Sequence, residues 1–212
     1  MSGILKVGGS ELINDNGGSG SLQWGSGVPS GSIVQVQHTQ LDTGAEHSTM
    51  DSNVDYVLQN NTGVSSATGG GVSGILDVDI TPKITGSKIW LQSHIFGEAD
   101  ADNVWNTVFF FWRSVDNTHT KLKSAITGRT AGATGISMAT KTASFTDDNS
   151  TPEILNMQYF DNHGVNAGTQ ITYKVGISKT GTATTWFTNR CVGTASDQEV
   201  GVSSICAIEL AP

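Results

Sequence analysis

The sequence predicts an all-β fold, an antiparallel β-sandwich or jelly roll, from three observations. The 212-residue chain holds 26 glycines and is comparably rich in Ser and Thr, which favour strands and turns over helices. Apolar and polar residues alternate with period two in many short segments. Clusters of Gly, Pro, Asn and Asp separate those segments and mark turns. A helical bundle is therefore excluded, and no alternation of strands with helices indicates a parallel sheet.

Taken in order, the alternating segments predict about eight to ten strands. Their approximate ranges are 33–38, 54–59, 75–80, 88–98, 104–115, 153–160, 169–178, 184–189 and 203–210. In the 75–80 segment, Asp77 and Asp79 are expected on the solvent face because Leu76, Val78 and Ile80 alternate with them. The segments 169–178 and 184–189 are expected to pair as a hairpin across residues 179–182.

Residues 1–30 differ from the rest and are predicted to form an extended N-terminal β arm, followed by a head at 31–212. Three short strand-like pieces in the arm are interrupted by Gly-rich tracts, and none can bury a core alone. The arm is therefore expected to attach to another chain. The expected attachment residues are its apolar side chains, Ile4, Leu5, Val7, Leu12, Ile13, Leu22 and Trp24.

The charge balance excludes some classes of protein. Lys and Arg number 11 and Asp and Glu 19, giving a net charge of −8, which argues against nucleic-acid binding. No run approaches the ~18 apolar residues of a membrane span, so membrane insertion is not expected. The N-terminal residues lack the charged and apolar regions of a signal peptide, which favours synthesis in a cytoplasm. Cys191 and Cys206 are then expected to be free thiols, with a disulfide between them as the alternative.

The sequence offers little chemistry. None of the five histidines lies in a recognisable metal motif. The segments 100–103 and 147–149 resemble fragments of calcium loops but lack the Gly and distal Glu of an EF-hand, so a bound calcium stays an open alternative. No nucleophile elbow or phosphate loop is present. The expectation is a protein that is not an enzyme and needs no cofactor or metal.

The tryptophans admit two interpretations. Trp90, Trp105, Trp112 and Trp186 lie in or beside apolar strands and are expected mainly in the core, although tryptophans on a sandwich surface can also stack on sugars. Trp24, in the arm, is expected to pack against a neighbouring chain.

Several short motifs occur in a recognisable order. They are Gly31–Val36, Val78–Pro82, Gly86–Ile89, Ile171–Val175 and Ser203–Leu210. In this order they resemble small virion structural proteins of tailed bacteriophages, notably phages of marine bacteria and cyanobacteria, which share an "ITP…SKI" hairpin and a "TYKV" strand. The resemblance covers about residues 31–210. It implies a trimeric jelly-roll head of the kind found on phage fibres, similar in shape to tumour-necrosis-factor and C1q heads.

The resemblance implies a non-enzymatic virion protein, assembled in the host cytoplasm as a homotrimer and joined to other virion proteins through residues 1–30. The first expectation is a short tail fibre or receptor-binding protein, and the alternative is a capsid decoration or head-fibre protein. A polysaccharide-cleaving spike is a third possibility, which would need a pair of carboxylates in a cleft.

In a jelly roll the loops at one end usually act on partners, because strands carry the packing. The longest predicted loops hold polar and small residues, which suit recognition of a host glycan or protein through hydrogen bonds. The candidate receptor-contacting residues are Asp100, Asp102, Arg129, Asn162 and His163. The alternative is that these loops are merely solvated.

Overall fold

The fold is all-β throughout the part of the chain that the computed structural model describes. The described residues are 4–7, 9–14, 23–24, 27–43, 45–50, 54–58, 75–99, 107–122, 139–140, 151–179, 184–193 and 199–212. They contain no helix long and apolar enough to cross a bilayer.

Fifteen strands form three antiparallel sheets in these residues. The arm sheet comprises β1 (Ile4–Val7), β2 (Ser10–Asn14) and β3 (Gln23–Trp24). Sheet I comprises β4 (Ile33–Leu41), β5 (Ala45–Met50), β8 (Lys88–Ala99), β12 (Glu153–Asp161), β14 (Thr184–Thr188) and β15 (Ser203–Leu210). Sheet II comprises β6 (Asp55–Val57), β7 (Asp77–Ile80), β9 (Thr107–Val115), β10 (Thr118–Lys121), β11 (Ala139–Thr140) and β13 (Ile171–Lys179).

Several strands lie end to end and share one position in their sheet. Along one edge of β8, β15 pairs with residues 88–94 and β14 with residues 97–99, while β12 takes the other edge. Strands β4 and β5 follow β15 and β14 on their far side. In sheet II, β7 and β6 share one edge of β13, and β10 and β11 share one edge of β9. Each sheet therefore has four strand positions.

The order of these eight positions is that of a jelly roll. Numbered along the chain, sheet I reads 1-8-3-6 and sheet II reads 2-7-4-5. The first position thus pairs with the eighth, the second with the seventh, the third with the sixth and the fourth with the fifth, always antiparallel. Such nested pairing results when one long hairpin folds over itself into two packed sheets. The predicted all-β jelly-roll head is confirmed.

The core lies between sheets I and II. Ile89, Leu91 and Ile95 of β8 point inward with the period of two that the sequence shows, and all three are fully buried. From sheet II, Phe109, Phe111 and the inward side chains of β13 meet them. Leu76, Val78 and Ile80 are also buried, and Asp79 is exposed, as predicted.

Strand pairing differs from the sequence prediction in two places. The hairpin predicted between 169–178 and 184–189 is wrong: β13 pairs with β9, β7 and β6 in sheet II, whereas β14 pairs with β5 and β8 in sheet I. The "ITP…SKI" segment is not a hairpin either, because β7 lies in sheet II and β8 in sheet I. Both connections cross from one sheet to the other, as a wrapped hairpin requires. The alternation of apolar residues and the turn residues in the sequence do not distinguish such a crossing from a hairpin within one sheet.

Three strands have no counterpart among the predicted strands. Strand β5 falls in the predicted loop 41–53 and β11 in the predicted loop 122–142, and β10 lies between the predicted strand 104–115 and that second loop. Their sequences, AEHSTM, THTK and AT, have no apolar alternation. The β9–β10 hairpin is closed by Asp116 and Asn117, whose positive φ angles of 46° and 61° suit a tight two-residue turn.

Candidate functional site

The outer face of sheet I is the surface that calls for a functional explanation. The register across β4, β15, β8 and β12 places outward side chains from all four strands in straight cross-strand rows. Rows of this kind bring together residues that are far apart in sequence.

One of these rows is apolar from edge to edge, and we call it the apolar row. It consists of Val36 on β4, Ile208 on β15, Trp90 on β8 and Phe160 on β12. Trp90 and Phe160 are stacked, with ring centroids 5.4 Å apart and planes 10° from parallel. Val36 and Phe160, at the two ends of the row, are 51% and 55% exposed. An exposed apolar stripe of this extent indicates a contact surface.

A polar groove of about 800 Å³ runs beside the apolar row. Its outward-facing lining is His38, Gln92, His94, Asn156, Gln158, Ser204 and Cys206. His94 Nδ1 lies 3.0 Å from Asn156 Oδ1. Burial raises the pKa of the Cys206 thiol, so the thiol is protonated at neutral pH and is a poor nucleophile. The groove offers hydrogen-bond donors and acceptors, and its described lining includes no carboxylate, lysine or arginine side chain.

Charge is nearly absent from this face. Lys88 is the one exposed charged side chain on β4, β15, β8 and β12. Of the four acidic residues on the same strands, Glu98, Asp161 and Glu209 are buried and Glu153 is half-buried. In a chain with a net charge of −8, the absence of exposed acidic side chains on these four strands reduces repulsion of another negatively charged molecule.

The buried acids fasten the fold together. Asp161 of sheet I accepts hydrogen bonds from Arg113 (2.9 Å) and from the Tyr173 hydroxyl (2.8 Å), both in sheet II. Burial, followed by the adjacent Asp161 charge, raises the pKa of the Tyr173 hydroxyl, which therefore stays a donor. The hydrogen bonds of Arg113 and Tyr173 to Asp161 therefore join sheet II to sheet I.

Two further carboxylates hold connections between strands. Glu209 accepts hydrogen bonds from the backbone N–H groups of Lys83 (2.9 Å) and Ile84 (3.0 Å) and from Gln35 Nε2 (2.6 Å). Glu98 accepts from the N–H groups of Thr151 (3.0 Å) and Val192 (2.7 Å). Buried carboxylates with this many N–H donors are structural acceptors.

The outer face of sheet II holds the acidic pair that the sequence singles out. Burial and the repulsion of Asp79 raise the pKa of the Asp77 carboxyl, and Lys174 opposes the rise. Asp79 accepts a hydrogen bond from Thr172 Oγ1 at 2.5 Å. Asp79 is thus exposed on the outer face, as predicted, whereas Asp77 is half-buried there. Within the described segments, no three His, Cys, Asp or Glu side chains converge as metal ligands.

The two predicted receptor-contacting residues that the structure describes differ in exposure. Asn162 is exposed, whereas His163 is 6% exposed and its Nδ1 accepts a hydrogen bond from the Val165 N–H at 3.0 Å. Burial lowers the pKa of the His163 imidazole. The His163 side chain is thus not presented to a partner. Asp100, Asp102 and Arg129 lie outside the described residues.

Of the predicted arm residues, Leu5 is 55% exposed and Ile13 is half-buried. Ile4, Val7, Leu12 and Trp24 lie in arm strands, but their side chains are outside the described part of the structure, as is Leu22 altogether. Cys191 and Cys206 are both free thiols.

The tryptophans divide between core and surface. Trp186 is fully buried and packs edge-on against Phe109, with centroids 5.1 Å apart, and Trp112 is buried on the outer side of sheet II. Trp90 lies on the outer face of sheet I, which corrects its predicted core position. Trp105 is outside the described residues.

The apolar row is not predicted from the sequence. Each of its four residues does lie at an outward-facing position of a strand that the sequence predicts. Only the register between strands from four distant parts of the chain shows that they align.

Comparison with known proteins adds little to this description. No family model matches the chain, and no curated protein matches it. The solved structure of infectious bursal disease virus, Gx strain, aligns with 86% of this chain and 37% of that chain, with 10% sequence identity and a TM-score of 0.33. The fold assignment therefore rests on the strand order itself.

Proposed function

We propose that this protein is a non-enzymatic structural component of a tailed-phage virion, a short tail fibre or receptor-binding protein that acts as a homotrimer. The observation that supports it best is the apolar row, which crosses all four strands of the outer face of sheet I with few charged side chains near it. Such a face on a jelly-roll head suits stable contact between protein subunits. The motif resemblance across residues 31–210 directs this assembly role toward phage particles.

Residues 1–30 act as the anchor in this proposal. The arm strands pair with one another in a sheet of their own, and Leu5 exposes its side chain there. A three-stranded sheet has two edges and a face to offer to a neighbouring virion protein. The two ends of the head are joined to each other, because the Gly31 N–H donates to Ala211 O at 3.0 Å and the Ala211 N–H to Ser32 O at 2.9 Å.

Deletion of residues 1–30 tests the anchor. The truncated head is expected to fold and keep its oligomeric mass, yet to be missing from purified virions of a phage that lacks the full-length protein. Incorporation at the full-length level would contradict the proposal, as would a head that unfolds without its arm.

Copy number distinguishes the tail from the capsid. Quantitative mass spectrometry of purified virions is expected to give at most a few dozen copies per particle for a tail fibre. Hundreds of copies would favour the capsid-decoration alternative.

Adsorption tests the receptor-binding part. We expect the paired change Asp100→Ala with Asp102→Ala, or the single change Asn162→Ala, to reduce adsorption to host cells while virions still assemble. His163→Ala serves as a contrast, because its buried side chain should affect stability before adsorption. Unchanged adsorption in every loop variant would contradict a receptor-binding role.

A further inference from the structure

We propose that copies of this chain meet through the apolar row, with the Phe160 end of one copy against the Val36 end of the next, so that three copies close a ring. This inference rests on the homotrimer of the proposed function and adds the surfaces and the direction of the contact.

The most exposed members of the row lie at opposite edges of sheet I. Val36 is on β4 and Phe160 on β12, and three interstrand spacings of ~4.8 Å place these strands about 14 Å apart. Between them, Ile208 and Trp90 are already half-buried. A partner at one edge leaves the other apolar end uncovered. Two different surfaces on one chain that cover each other make a head-to-tail contact, and such contacts form rings when the rotation closes.

The two edge strands of sheet I are long. Strands β4 and β12 are nine residues each and contain no Lys, Arg or Pro. No described strand hydrogen-bonds to the outer edge of either. Soluble proteins commonly block long edge strands with charged side chains or proline. Strand β4 has neither, and the charged residues of β12, Glu153 and Asp161, lie at its two ends, so the middle of both strands suits a covered edge.

Charge favours a second copy over another partner. Every copy carries a net charge of −8, so close contact between copies is favoured on a surface free of exposed acidic side chains. The apolar row is such a surface, with Lys88 as the nearest exposed charge on its four strands. A basic partner would find no exposed carboxylate on these strands to pair with.

A charge-swap experiment on the full-length protein tests the contact. Val36→Lys and Phe160→Glu each place an unpaired charge at one end of the row, and each is expected to reduce the mass in light scattering from three copies to one. The double variant places Lys against Glu wherever Val36 of one copy meets Phe160 of the next. It is expected to recover the three-copy mass, and to lose it again at high salt.

Val54→Lys is the matched control, because Val54 is an exposed valine (40%) beside sheet II and its replacement should leave the trimer intact. Far-ultraviolet circular dichroism checks that every variant is folded. Single variants that stay trimeric, or a double variant that stays monomeric, would overturn the proposed contact while leaving the trimer itself standing. A double variant with a two-copy mass would assign a closed face-to-face pair and overturn the ring. A monomeric wild-type protein would refute the trimer on which the contact depends.

Discussion

Single buried carboxylates hold the connections of this jelly roll in place. Glu209 is fully buried and accepts hydrogen bonds from three N–H groups, two of them in the backbone that follows β7. When a carboxylate accepts hydrogen bonds from several N–H groups, a side chain that donates at the same position would leave those N–H groups without an acceptor.

Replacement of Glu209 by Gln is therefore expected to destabilise the head by about 2–3 kcal/mol, because one oxygen becomes an NH₂ group that faces an N–H donor. Urea denaturation followed by tryptophan fluorescence measures the change. Gln35→Ala removes one donor and leaves the backbone contacts intact, so it should cost only about 1 kcal/mol. Equal losses in the two variants would show that the carboxylate does not organise the connection.

Asp77 gives a pH-dependent prediction. Burial and the Asp79 charge raise the pKa of its carboxyl, so folding favours the neutral form more than the unfolded state does. The stability gained by protonation is full below the unfolded-state pKa and is lost as the pH rises through the folded-state pKa. At pH 7 the ionised carboxylate therefore destabilises the head.

Asp77→Asn is accordingly expected to raise Tm at pH 7 by a small amount, on the order of 2 °C for a half-buried group. The advantage should shrink as the pH approaches the folded-state pKa from above. Asp116→Asn, in the exposed β9–β10 turn, removes the same charge without burial and should change Tm less. A gain in Tm that grows with acidification would contradict the sign.

At the scale of strands, two tryptophans on adjacent strands of sheet I face opposite sides of the sheet. Trp186 of β14 is fully buried between the sheets, whereas Trp90 of β8 stacks on Phe160 on the outside. The same side chain thus serves the fold in one place and a surface in the other.

Trp186→Ala is expected to cost about 3–5 kcal/mol of stability, because it opens a large cavity in the core. Trp90→Ala should leave the monomer fold nearly intact and weaken the contact between copies. Thermal unfolding measures the loss of stability in both variants, and light scattering measures the loss of contact between copies. A Trp90 variant as unstable as the Trp186 variant would place Trp90 among the core residues after all.

Strand prediction from the sequence succeeds where burial is one-sided. In β8, β12 and β15 the alternation of apolar and polar residues gives the strand and its inward face directly. It fails for β5, whose sequence AEHSTM shows no alternation and which pairs with the short strand β14. The mistaken β13–β14 hairpin has a related cause, since a short connection can join two sheets as readily as two neighbours. Long-range pairing also explains why the apolar row was not foreseen.

The molecule as a whole has a wrapped-hairpin head, an arm sheet and an apolar row on the outer face of sheet I. The first is seen directly in the strand order, and the other two give the proposed anchor and the proposed contact between copies. Each part can fail alone, because folding, incorporation into particles and self-association are measured separately.

Self-association is the central claim, and the mass of the purified full-length protein tests it most directly. Size-exclusion chromatography with light scattering at micromolar concentration is expected to give about three times the 22.2 kDa of one chain. A stable monomer at that concentration would contradict the account, because it would leave the apolar row of sheet I exposed to water in the functional protein.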